Sequence, residues 1–106
     1  MKTMAPLLAF VDIFVESPHM DDVVQALAKL ESIRELYEVT GEFDIVTLVE
    51  ADDIEQFRDV LKNKIMKIRG VKSTVSSIVL KTHKGSRFTE ELLHPTSHSA
   101  TVSQKH

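Results

Sequence analysis

The chemistry most worth following in this chain sits in five consecutive residues, Thr40-Gly41-Glu42-Phe43-Asp44. Glycine in a turn lets a ligand approach the backbone closely, so the N–H groups near Gly41 and Glu42 suit a carboxylate. Asp44 is acceptor-only when ionised and can take charge-assisted hydrogen bonds from an ammonium. Together these groups match the two ends of a free amino acid. A plain tight turn with two solvated acids accounts for the same residues on sequence mechanics alone. Thr74 and Ser76 are a second polar pair. Two residues apart on a strand, they share one face and can meet a ligand's polar end, although hydroxyls on a half-exposed strand are ordinary.

Other reactive groupings are sparse. His94 and His98 have the i, i+4 spacing of a helical metal pair. Pro95 follows at once and no further ligand set is evident, so an unstructured tail accounts for them and no metal or cofactor is expected. There is no cysteine, phosphate-binding glycine loop, nucleophile elbow, H-E-x-x-H or paired-carboxylate signature. No catalytic residue is therefore expected, and the protein is read as a non-enzyme. Asp12 interrupts an apolar strand face, where an unpaired charge is costly. It calls for a partner across an interface, or a place near a pore or an edge.

Length and charge narrow the classes further. The 106 residues suit one small domain, and 42% hydrophobic content supports a core of limited size. A formal charge of −3 argues against a dedicated nucleic-acid binder. The basic cluster Arg58, Lys62, Lys64, Lys67, Arg69 and Lys72 reads as a solvated helix face whose cations suit the helix C-terminus. The apolar run from Pro6 meets Asp12 too early for a signal peptide or a membrane span. A soluble, cytoplasmic protein is expected.

The elements that must hold these residues follow from periodicity. Residues 7–16 alternate, with Ala9, Val11, Ile13 and Val15 on one face and Leu8, Phe10, Asp12 and Phe14 on the other. Ser17-Pro18 predicts a helix start with a capping hydroxyl, and Met20, Val23, Val24, Leu27 and Leu30 form its buried stripe. Strands over 33–40 and 43–50 flank Gly41-Glu42, read as a two-residue hairpin loop. Asp52 and Asp53 compete as the next N-cap. Ile54, Phe57, Leu61, Ile65 and Ile68 make a second stripe, Gly70 ends that helix, and 71–82 is a fourth strand. The order is βαββαβ. Right-handed crossovers place both helices on one face of a four-stranded antiparallel sheet, an α+β ferredoxin-like fold. The other face, apolar and exposed, implies a sheet-to-sheet homodimer. Residues 1–6 form an N-terminal segment, 7–84 the domain, and 85–106 a tail expected to be disordered beyond one possible turn at 89–93.

Residues Ile33-Arg34-Glu35-Leu36-Tyr37-Glu38-Val39-Thr40-Gly41-Glu42-Phe43-Asp44, an acid-led helix, and Arg69-Gly70-Val71-Lys72-Ser73-Thr74 resemble the effector domain of Lrp/AsnC transcription factors. That module is called RAM, for regulation of amino acid metabolism, and the resemblance spans about residues 6 to 84. It implies sheet-to-sheet dimers that assemble into rings, commonly octamers. It also implies an amino acid or related small effector bound between dimers at Gly41, Glu42, Asp44, Thr74 and Ser76. Ser76 stands where the family often has threonine. Only about six residues precede the first strand, so a stand-alone form is expected, without the helix-turn-helix and without direct DNA binding. Such a form would modulate transcription through its assembly, including mixed assembly with full-length relatives.

Two rivals share the element order. Small dimeric α+β-barrel oxygenases and isomerases would need a pocket between helices and sheet holding a histidine or an acid dyad. His19 is the only histidine before His83, where the strand pattern stops. An RNA-recognition motif would need exposed aromatics on both central strands. Phe10 and Phe14 supply them on the first strand only.

Overall fold

The computed structural model describes residues 6–85. The turn expected at 89–93 and the histidines His94 and His98 lie outside them. Strand β1 (Leu7–Val15) leads through a 3-10 turn (Ser17–His19) into helix α1 (Met20–Ala28). Strands β2 (Ile33–Glu38) and β3 (Ile45–Ala51) follow, then helix α2 (Ile54–Asp59), a π-helical continuation (Val60–Ile65) and β4 (Val71–Ile78). The sheet order is β2-β3-β1-β4, with every neighbouring pair antiparallel. This is the βαββαβ ferredoxin-like arrangement that the periodicity implied.

Both faces of β1 are rich in apolar residues, and the structure decides between them. Ala9, Val11 and Ile13 are fully buried beneath the helices, and Val15 nearly so. They pack with Val23 and Leu27 of α1, with Ile45 and Val49 of β3, and with Phe57, Val60 and Ile65. Burying each such side chain contributes roughly 1.5–3 kcal/mol, so this layer dominates the stability of the subunit. Thr47 is the single buried polar side chain recorded there, and its hydroxyl donates to the Val11 carbonyl at 3.1 Å. Register rows define the opposite, open face: Tyr37, Val46, Asp12 and Val75 form one row, and Glu35, Leu48, Phe10 and Ser77 the next.

Three local expectations are corrected. Ser17 does not cap α1. Glu16 takes the N-cap position of the 3-10 turn without a side-chain bond, and α1 begins after His19. Backbone bonds hold this entry instead, His19 N–H to the Glu16 carbonyl at 2.8 Å and Glu16 N–H to the Gly70 carbonyl at 2.9 Å. The second helix is not uniformly α. Met66 N–H bonds the Leu61 carbonyl five residues back, and this widening lets Val60 and Ile65 both reach the core. Residues five apart would diverge by about 140° on a 3.6-residue turn. Val60 thus joins the core, whereas Ile54 at the helix start is 45% exposed. Finally, β4 ends at Ile78 rather than near Thr82.

The competition for the second N-cap resolves to Asp53. Its Oδ1 accepts from Gln56 N–H at 2.9 Å, while the Gln56 side-chain oxygen accepts from Asp52 N–H. Asp53→Ala should lower the unfolding free energy by about 1 kcal/mol, read as a shift in urea midpoint with an unchanged slope.

Candidate functional site

The β2–β3 connection runs from Val39 to Asp44, six residues rather than two. Val39 N–H donates to the Asp44 carbonyl at 3.0 Å and closes it. Two side chains account for the extra length. Phe43 leaves the strand to meet Phe14, with ring centroids 4.9 Å apart and planes inclined at 53°. Asp44 reaches back to the end of β1, where its Oδ2 accepts from Val15 N–H at 2.8 Å. Its own N–H donates to the Ile13 carbonyl at 3.1 Å. That clamp lies beside the shift in β1–β4 register between Phe14 and Val15.

Gly41 has φ +124°, and a Cβ added there would meet nothing within 4 Å. Glycine is required by conformation here and not by crowding. Among the described residues, the N–H groups of Gly41 and Glu42 donate no hydrogen bond, and Asp44 Oδ1 takes none. Among the described residues the loop therefore holds two backbone donors with no acceptor, a few positions from a carboxylate oriented through its other oxygen.

Thr74 and Ser76 lie on one face of β4, as strand alternation requires, paired with Ile13 and Val11. Because β4 is the edge strand, Ser76 is exposed and Thr74 half-buried. At the level of Ile13, Asp44 lies on the β3 side of β1 and Thr74 on the β4 side. Two strand spacings, roughly 10 Å, separate the backbones there. One subunit does not gather all five residues around a single small molecule.

Cavities elsewhere among the described residues include one of about 490 Å³ on the open sheet face over Leu8, Phe10 and Leu48. A second, about 230 Å³, surrounds Arg34 and Glu50, whose Nη1 and Oε1 are 3.3 Å apart. A third, about 440 Å³, lies along α2 by Arg58, Asp59 and Lys62. None is lined by Gly41, Glu42, Asp44, Thr74 or Ser76. The layer between helices and sheet, where a barrel-type enzyme would need its pocket, is filled by the fully buried core side chains. His19 packs against Gly70 at the start of α1, its Nε2 3.9 Å from Glu16 Oε1. On β3 the open face carries Val46 and Leu48 where an RNA-recognition motif would carry aromatics. Sequence reasoning missed the sheet-face cavity, because Lys81–Gly85 were assigned to strand end and tail.

Residues 8–88 match the family model of the Lrp/AsnC ligand binding domain. The chain belongs to that family. Among its relatives is the HTH-type transcriptional regulator FL11 of Pyrococcus abyssi, 40% identical over 78 residues, which cover 74% of this chain and 51% of FL11. The chain thus spans about half the length of the curated relatives it matches first. TTHA0845 from Thermus thermophilus has a similar solved structure, with a TM-score of 0.70 and 30% identity over 74% of this chain and 99% of that one. The feast or famine regulatory protein Rv3291c from M. tuberculosis, solved with L-methionine, gives a TM-score of 0.67 at 32% identity. That match covers 76% of this chain and 54% of Rv3291c.

Proposed function

We propose that this Lrp/AsnC domain senses an amino acid or a close relative and carries out no chemistry on it. The observation that carries the proposal is the pair of unoccupied donors at Gly41 and Glu42 beside Asp44, whose Oδ2 is held by Val15 N–H. In this reading the two N–H groups take the ligand carboxylate and Asp44 Oδ1 takes its ammonium. Thr74 and Ser76 reach the ligand from a neighbouring subunit, since a single subunit keeps them across β1 from the loop. The L-methionine in the Rv3291c structure supports the ligand class.

Assembly belongs to the same mechanism. The open face carries exposed Phe10, Tyr37 and Val75, a surface suited to packing against a second copy. Dimers formed through it then join into a ring, proposed as an octamer. A ligand seated between dimers shifts the assembly by its differential affinity for the two states. The shifted assembly acts on transcription through full-length Lrp/AsnC relatives, in the cytoplasm. None of the described helices is long and apolar enough to cross a membrane.

Isothermal titration with each of the twenty amino acids, followed by sedimentation with and without the binder, tests this directly. Saturable heat from at least one of them and a species heavier than a dimer are expected. Silence from all twenty would remove the sensing role, and a monomer at micromolar concentration would remove the sheet-packed dimer.

A further inference from the structure

Asp12 stands in the middle of the open face, on the inner strand β1. Its direct cross-strand neighbours are Val46 on β3 and Val75 on β4. Phe10 and Phe14, two positions away along β1, share its face and close the other two sides. Four apolar side chains thus surround a half-buried carboxylate. Among the described residues it takes no hydrogen bond and no ion pair.

The charged and titratable groups near this face lie farther off. On β2, Tyr37 and Glu35 stand beyond β3, with the Tyr37 hydroxyl on Glu35 Oε1 at 3.1 Å. Towards β3, Asp44 is turned to Val15 N–H, and Glu50 to Arg34. On the β4 side, Lys72 lies at the start of the strand and Lys81 beyond its end. Lys81 lines the face beside Leu8, and Leu8 is four positions from Asp12, roughly 13 Å at strand rise.

The sheet-packed dimer proposed above is isologous, so each subunit lays this same surface on its partner. Both copies of Asp12 then lose water against a surface of valine, phenylalanine and further acids. An ionised carboxylate is costly in such a place, and the group neutralises rather than stay charged. Resting on that dimer, we propose that Asp12 couples assembly to protons: the paired faces accept its carboxyl uncharged, so association strengthens as pH falls and loosens as pH rises. By linkage, the dimer binds more protons than two separate subunits, and acid therefore drives pairing. Near neutral pH the two charges keep the dimer reversible. Subunits can then exchange with those of full-length relatives, as mixed assembly requires.

Sedimentation of the fluorescently labelled full chain, diluted from micromolar to nanomolar concentration, yields the concentration of half-dissociation. It should fall about tenfold or more between about pH 8 and about pH 5.5. Asp12→Asn keeps the shape and removes the charge. At the higher pH it should associate about tenfold more tightly than the parent, and its association should change little with pH. Asp12→Val, which matches Val46 and Val75 on either side, should associate more tightly still. Other titrating groups keep their response in both variants, so the difference between the profiles belongs to Asp12. A pH profile unchanged in Asp12→Asn would assign the protons elsewhere and overturn the proposal. Weaker association of Asp12→Asn at the higher pH would overturn it too, since the carboxylate would then be paired with a cation of the partner. A monomer at every concentration and pH would remove the sheet-packed dimer itself, and this proposal with it.

Discussion

Gly70→Ala is expected to destabilise the domain more than the same change at Gly41. Gly70 has φ +105°, and a Cβ there would lie 2.5 Å from His19 Cβ and 2.9 Å from Val23 Cγ2. Neither neighbour is the free end of a flexible side chain. His19 Cβ is tied to the backbone entering α1, and Val23 is fully buried. The Gly70 carbonyl also accepts from Glu16 N–H, so moving the strand away would break the bond that holds the α1 entry. Backbone strain and overpacking together should cost about 2–5 kcal/mol, a large part of the stability of a small domain. Gly41→Ala is the internal control. Its φ is similarly positive, but no atom lies within 4 Å of the added Cβ. It should therefore lose only the conformational part, about 1–3 kcal/mol. Urea unfolding of both variants at one protein concentration separates the two costs, since self-association would otherwise shift the midpoints. Equal losses in the two variants would mean that the contact with α1 yields freely.

The same glycine shows what periodicity can and cannot reveal. Its position at the end of a helical stripe marks a helix stop, and the positive φ follows. Its second reason, the closeness of His19, joins residues fifty-one positions apart and leaves no local trace. The βαββαβ order was legible because each stripe repeats at its own period. Which face of β1 meets the helices was not, because Phe10 and Phe14 are as apolar as Val11 and Ile13. Ser17-Pro18 resembles a cap, but the proline's fixed φ serves a 3-10 turn equally well. The π-helical widening was hidden because Phe57, Leu61 and Ile65 already satisfy an α-helical stripe, so nothing called for Val60 to turn inward. At the candidate site the residue types were legible and their distribution was not. Gly41 announces a turn, but the six-residue loop depends on Phe43 meeting Phe14 and on Asp44 meeting Val15. Those contacts exist only once β1 lies beside β3.

Asp44 thereby acquires two tasks, and substitution can separate them. One is structural: Oδ2 accepts from Val15 N–H at 2.8 Å across twenty-nine residues of chain. The other is the proposed capture of an ammonium by Oδ1. Asp44→Ala removes both and leaves a part-buried amide without its acceptor, at a cost of about 1–3 kcal/mol. Asp44→Asn retains an oxygen for Val15 N–H and should be much less destabilising. In that orientation the new amide NH₂ occupies the place of Oδ1. It then meets an incoming ammonium donor to donor, and the negative charge is gone as well. Affinity for the binding amino acid should fall roughly 10–100-fold in Asp44→Asn, while the urea midpoint stays close to that of the parent protein. Calorimetry and urea unfolding on the same preparations provide both readings. An Asn variant that binds as tightly as the parent would reduce Asp44 to a clamp on β1 and place the ammonium elsewhere. A variant that loses binding and stability together would leave the clamp as the explanation for both. Only selective loss of affinity assigns the carboxylate to the ligand, because the Val15 bond survives in that variant and the charge does not.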